Sequence, residues 1–276
     1  MTTKVWMGLF LALHSWLAHA QGAIPTCYNS TVTAVSSQAA LELFVLIDQT
    51  TLLDTNLQQA VANQVRPFLA PGNAFSVVVF SAFMQGKYTQ VLASGHLDAA
   101  LSKEQRNAAP KSVLAKFDQC FTRQPQQAAQ VLGAALRSGF GGSSTDVQKS
   151  DILASLKDIS SKVRQSSSKE KVVLLVSDML ENSSVTSFYA NNAIRKIDPP
   201  KEMQLVSKGQ FLADFDGARI YVLGAGLLSA SGKSSQQKYR DPKTMQALSS
   251  FWQEFFSQSN GKLLEVGTPD LLNQIK

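Results

Sequence analysis

The sequence predicts an α/β fold: a doubly wound, mostly parallel six-stranded sheet with one antiparallel edge strand and helices on both faces. Two observations carry that expectation. Apolar runs of strand length, such as Leu41–Ile47 and Lys171–Ser177, alternate with segments of helical periodicity, the pattern of strands buried under helices on both sides. One pair of strand-like segments, Phe75–Phe80 and Tyr88–Leu92, is joined by a turn at Gln85-Gly86-Lys87 short enough for a hairpin, which supplies the antiparallel edge.

The elements follow in order. Leu41 to Ile47 is apolar on both faces, as a central strand requires. Asp54 can cap the next helix, whose apolar positions Leu57, Val61, Val65 and Phe68 fall on one face, and Pro71-Gly72-Asn73 closes it. After the hairpin, residues 97–138 carry helical patterning with interruptions at Pro110 and Pro125. Gly139 through Ser144 break that pattern, and Thr145 or Asp146 is placed to cap a helix containing Val147, Ile152, Leu156, Ile159 and Val163. Ser166-Ser167-Ser168 reads as a loop before the strand Lys171–Ser177. A helix is expected near residues 184–197, with a break at Pro199-Pro200. Arg219–Gly224 is the next strand, and Asp241-Pro242 opens a helix with proline in its first turn. Met245, Leu248, Phe251, Trp252, Phe255 and Phe256 form that helix's apolar face; their spacing assigns them to a core rather than to base stacking. Lys262–Val266 is the last strand. No repeat or linker interrupts residues 41–276, which are expected to form one domain behind an extended arm at 21–40.

Three short stretches place small oxygen-bearing residues where strands end or helices start. They are Asp48-Gln49-Thr50-Thr51 after the first strand, Gly141-Gly142-Ser143-Ser144-Thr145-Asp146, and Ser177-Asp178 after the strand from Lys171. Strands that end at one edge of an open α/β sheet bring such loops together, and carboxylates with hydroxyls are the ligands of hard divalent cations. The order and spacing resemble a von Willebrand factor type A domain with its metal-ion-dependent adhesion site. In that family the first loop reads Asp-x-Ser-x-Ser, the second supplies a Thr after glycines, and the third an Asp after an apolar strand. The resemblance covers roughly residues 40 to 270. Asp48 and Thr50 match the first loop, with Leu52 in place of its last hydroxyl and Thr51 beside it. Thr145, with Ser144 as the alternative, matches the second loop, and Asp178 the third, where Met179 replaces the family's usual Gly. The resemblance implies Mg²⁺ or Mn²⁺ on Asp48, Thr50, Thr145 and Asp178, or a site that has lost its ion. It also implies a partner protein bound at that edge, with Glu181 and Asn182 framing the surface.

The N-terminus reads as an export signal. Lys4 precedes an apolar run from Val5 to Leu17, too short for an ordinary membrane span, and Ala18-His19-Ala20 is a cleavage pattern that would leave Gln21 first. The expected location is therefore the periplasm or the exterior, with no stable membrane insertion after cleavage. Cys27 and Cys120 would meet an oxidising compartment there, where a pair tends to bond; two separate buried thiols are the alternative. Loss of residues 1–20 removes two of the three histidines, leaving His96, which argues against His-based triads and multi-His zinc sites. The net charge of +6 comes from scattered Lys and Arg, a pattern that does not suggest nucleic acid.

Other motifs fail on spacing. Ser231-Gly232-Lys233-Ser234 resembles a phosphate-binding loop, but Leu227 stands where its first Gly belongs; Gly224-Ala225-Gly226 starts a dinucleotide fingerprint that Ser229 does not complete. No nucleotide is expected. The leading reading is an exported protein-binding module that is not an enzyme. The alternatives are a metal-dependent periplasmic hydrolase using Asp48 and Asp178, and a structural subunit of an envelope assembly.

Overall fold

The computed structural model describes residues 24–34, 38–84, 87–144, 150–190, 193–228 and 241–276. Its centre is a six-stranded sheet of β1 (Leu41–Asp48), β2 (Ala74–Met84), β3 (Lys87–His96), β4 (Glu170–Val176), β7 (Arg219–Leu223) and β8 (Lys262–Val266), in the order β3-β2-β1-β4-β7-β8. All neighbours run parallel except β2 and β3, so the one antiparallel strand lies at an edge, as expected.

Alternation along the strands explains the double winding. Leu43, Val45 and Ile47 of β1 point into one core with Val77, Val79, Val172, Leu174 and Leu223. There they meet α1 (Thr55–Val65) through Leu57 and Val61, and α3 (Lys111–Gly141) through Ala128, Leu132 and Leu136. Phe44 and Leu46 point the other way, into a core with Val173, Leu175, Ile220 and Val222. That second core is covered by α4 (Ile152–Gln165), α5 (Pro199–Lys208) and α6 (Pro242–Gln258). Strand side chains alternate with period two, so a strand covered on both sides must be apolar throughout. Burying each large apolar side chain contributes about 1.5–3 kcal/mol, and five consecutive apolar residues of β1, Leu43 to Ile47, are buried.

Local signals worked where a cap was present. Asp54 accepts from Leu57 N at 2.9 Å and starts α1, and Asp241 accepts from Thr244 N at 3.0 Å and starts α6 with proline behind it. Three expectations need correction. Pro110 precedes α3 as its N-cap, but Pro125 lies inside that helix without ending it. The lost hydrogen bond and ring clash cost about 3 kcal/mol, offset by apolar contacts on both sides of it, from Phe117 to Leu136. The helix expected near 184–197 is absent among the described residues. Instead β5 (Tyr189–Ala190) pairs with β6 (Ala193–Ile194), where Val185, Phe188, Tyr189 and Ile194 favour extended backbone. The prolines at 199 and 200 then open α5 behind the cap Asp198 rather than break a helix, because the first helical turn needs no amide from them. Finally, α4 begins at Ile152, capped by Asp151; Asp146 and Val147 lie outside the described residues.

The N-terminal arm is pinned to α3. Cys27 and Cys120 are joined by a disulfide, with Cα atoms 5.5 Å apart. Nearby, the buried Asp98 carboxylate accepts from Thr26 Oγ1 at 3.0 Å, Cys27 N at 2.5 Å and Gln124 Nε2 at 2.9 Å. Cys27, Val32, Leu101 and Phe117 form a small core of their own, apart from the two main ones. Among the described residues no helix is long and apolar enough to cross a membrane. Replacing both cysteines with serine is expected to cost about 2–4 kcal/mol. Urea denaturation would measure that cost. Hydrogen exchange should rise in residues 24–34 and the first half of α3, with β1 and β4 still protected; uniform loss across the sheet would show that the arm is no separate unit.

Candidate functional site

The winding reverses between β1 and β4: from β1 the chain moves out to β2 and β3, then returns to β4 on the other side of β1. The C-terminal ends of the strands beside such a reversal are where open α/β sheets take ligands. Asp48 is the last residue of β1, and Ser177 and Asp178 directly follow β4.

Asp48 is fully buried and accepts four hydrogen bonds. Oδ1 takes Thr50 N at 2.9 Å and Thr50 Oγ1 at 2.6 Å; Oδ2 takes Ser177 Oγ at 2.7 Å and Ser150 Oγ at 3.4 Å. The first and third loops are tied again by Asp178 N, which donates to Thr51 Oγ1 at 3.0 Å. The Gly-Gly-Ser-Ser loop joins them through Ser144 N, which donates to Gln49 O at 2.9 Å. Asp178 is also buried. Its Oδ1 accepts from Leu180 N at 2.8 Å and its Oδ2 from Tyr189 Oη at 2.9 Å. Thr145 lies outside the described residues.

The structure differs from the expected surface around Asn182. Glu181 does not reach it: the side chain is fully buried and its Oε2 accepts from Leu153 N at 3.0 Å, holding the first turn of α4. Asn182 exchanges backbone hydrogen bonds with Ser150 at 2.8 and 3.2 Å, so both residues position the third loop against α4. Ser150 and Tyr189 stand outside the three stretches read from the sequence, whereas Ser177 lies within the third. Ser177 sits beside Asp178 and was legible on that ground; Tyr189, eleven positions further on, reaches Asp178 only through the β5–β6 hairpin.

Met179 explains the missing glycine. Its φ is +61°, the left-handed region that Gly occupies without cost, and the side chain is nonetheless buried. Ser177 Oγ accepts from its amide at 2.9 Å, and Trp252 Nε1 of α6 donates to its carbonyl at 2.9 Å. The aromatic face of α6 therefore does more than fill the core, since it clamps the third loop.

The electrostatics are unusual. Burial pushes the Asp48 carboxyl up, against the opposing pull of its four hydrogen bonds. Asp178 is held well above the ordinary carboxylate range by burial and by the neighbouring Asp48 charge. Glu181 is pushed up to about 8, mainly by burial, and its Oε1 has no hydrogen-bond partner. Like charges in one desolvated site favour retention of a proton.

All the donors are oxygens, the kind a hard cation takes. Thr50 Oγ1 keeps lone pairs while donating to Asp48, and Ser143 Oγ on the second loop is buried without a partner. The set fits Mg²⁺ or Mn²⁺ in kind. Among the described residues no three His, Cys, Asp or Glu side chains form a metal-binding group, so hydroxyls and water would have to complete the shell.

Two outcomes follow from this geometry. A carboxyl raised from 4.5 to about 8 in the folded state lends stability that is complete below the unfolded value and is lost as pH rises through the folded one. Thermal denaturation should therefore show wild type losing stability between about pH 5 and pH 8 relative to Glu181→Gln, by one to a few kcal/mol; parallel pH curves would refute the burial argument. Met179→Gly should relieve about 1–2 kcal/mol of backbone strain but forfeit about 2–5 kcal/mol of buried side chain. The net effect is destabilising, and a more stable glycine variant would reverse that ranking.

No family model matches the sequence, and no curated protein sequence matches it. Solved structures similar to this chain include the TFIIH p34 N-terminal domain, at 10% identity and a TM-score of 0.38, covering 84% of this chain and 93% of that one. A second is an aerotolerance-related membrane protein from Bacteroides fragilis carrying multiple mutations to serine, at 10% identity and a TM-score of 0.34, covering 83% and 92%. A third is the pilus adhesin SpaC from Lactobacillus rhamnosus GG, at 14% identity and a TM-score of 0.36, covering 80% of this chain and 30% of the adhesin. Likenesses this distant leave the reading of the site to its own geometry.

Proposed function

We propose that this chain is an exported binding module of the von Willebrand A type, periplasmic or secreted, that holds a partner protein at the loop edge around Asp48. One observation carries the reading: three loops, from β1, from α3 and from β4, are hydrogen-bonded into a single oxygen-rich surface at the point where the winding reverses. Asp48 and Asp178 lie beneath that surface, while Thr50, Ser144 and the exposed Leu52 reach it. Thr50, Asp48 and Asp178, with Ser144 or Thr145 from the second loop, are the residues that would hold Mg²⁺ or Mn²⁺. Such an ion would neutralise the acid pair and accept a partner's carboxylate as a ligand. The hydrolase reading has less support, because His96 pairs with Ala74 at the far end of the sheet from Asp48, which pairs with Phe80.

Three measurements test the proposal. N-terminal sequencing of the exported protein should begin at Gln21. Calorimetry at roughly millimolar Mg²⁺ or Mn²⁺ should give heat with wild type and none with Asp48→Ala; no heat with either ion removes the cation from the reading and leaves the hydrogen-bonded edge. Capture of partners from the native envelope should fall in a folded Thr50→Val, Asp178→Asn double variant. Undiminished capture would place the interface elsewhere, and turnover of phosphate esters abolished at Asp48 would favour the hydrolase.

A further inference from the structure

The opposite edge of the sheet, where the parallel strands begin, has features that the loop-edge reading leaves unused. Lys169 and Lys171 stand at the start of β4, Arg219 at the start of β7 and Lys262 at the start of β8, and together they line a cavity of about 270 Å³. A second cavity of about 240 Å³ lies toward β3, where His96 and Gly72 line it. Lys169 lines both, so the two lie side by side along the N-terminal edge from β3 to β8.

The charges in the groove do not balance. Lys171 is paired with Asp216 at 2.5 Å and Arg219 with Glu170 at 2.7 Å. The nearby Glu42 is occupied by the hydroxyls of Ser76 and Ser166, at 2.9 and 2.6 Å. Lys169 and Lys262 are exposed and make no ion pair with any described residue. Leu264, 52% exposed, adds an apolar wall beside Lys262.

The shape and the donors discriminate between anions. A compact oxyanion such as phosphate is best held by converging backbone amides. Here those amides are engaged: Lys169 N donates to Ala39 O, Glu170 N to Ala40 O, Gly217 N to Asn260 O and Lys262 N to Ala218 O. What remains are two long, flexible ammonium groups, those of Lys169 at β4 and Lys262 at β8, which suit separated carboxylates on an extended chain. Six strands spaced roughly 4.8 Å apart span about 24 Å, the length of about seven extended residues.

We propose that this groove binds an extended acidic peptide segment of a partner protein, about seven residues long, with carboxylates meeting Lys169 and Lys262 and an apolar side chain against Leu264. The surface is distinct from the loop edge around Asp48, and its test does not depend on that edge. Fluorescence anisotropy on the full exported chain would use a labelled heptapeptide alternating glutamate and serine, with the glutamine version as control. Saturable binding is expected that weakens with added salt, disappears for the glutamine peptide, and is weakened roughly tenfold or more by the exposed double reversal Lys169→Glu, Lys262→Glu. Circular dichroism would establish that the variant is folded. No binding of the acidic peptide, or equal binding by the variant, overturns the proposal. Binding of phosphatidylserine vesicles or a sulfated polysaccharide in place of the peptide, lost in the same variant, also overturns the peptide assignment.

Discussion

Burying the Asp48 carboxylate at the end of the central strand is the constraint on which the functional end of the molecule depends. A carboxylate removed from water must be matched by donors or it disfavours folding by several kcal/mol. Its four donors come from Thr50 on its own loop, Ser150 ahead of α4 and Ser177 after β4. Segments separated by more than a hundred positions are thereby fixed relative to one another, and the loops inherit the rigidity of β1. A site assembled this way is preorganised, so binding there would cost little entropy in ordering the surface.

That order has an energetic cost carried by three neighbours. Asp178 sits near Asp48 with its own charge opposed, Glu181 is buried with one oxygen unpartnered, and Met179 holds a left-handed backbone angle. Each is unfavourable alone. The compensation is visible in the packing behind them: Trp252 of α6 donates to Met179 O, and its ring stacks edge-on against Phe251 and Phe255. Strain of this kind persists only where the surrounding structure over-determines it, and it clusters at functional sites.

The sheet was legible in the sequence because its signals are local. A strand buried on both faces must be apolar throughout, so β1 and β4 declare themselves, and Asp54 and Asp241 mark helix starts by side-chain hydrogen bonds within one turn. The failures lie where distant contacts decide. Pro125 breaks a helix in isolation and not in one packed on both sides of it. The segment after Glu181 has helical spacing, yet its amides find partners in Glu181 and Phe188 across a small hairpin. The same distinction holds for the site. Asp48, Thr50 and Asp178 stand at strand ends and were legible there. The donors from Ser150 and Tyr189 were not, since each reaches its carboxylate through a loop whose course no local pattern sets.

The two edges of the sheet lie a strand's length apart. β1 is eight residues long, about 26 Å at the rise of a strand, and the Debye length near physiological salt is about 8 Å. At that separation even a buried charge at the Asp48 edge interacts with one at the basic edge by under about 1 kcal/mol at an effective dielectric constant of about 20. Coupling would have to pass through movement of the sheet against its helices. That route is stiff on the α3 side, where Gly139 sits so close that a Cβ there would lie 2.7 Å from Ile47 Cδ1. Close-packed interiors shift between discrete arrangements rather than yielding smoothly. If both proposals hold, occupancy of one edge would act weakly on the other, and the chain would work as a rigid connector rather than as a switch.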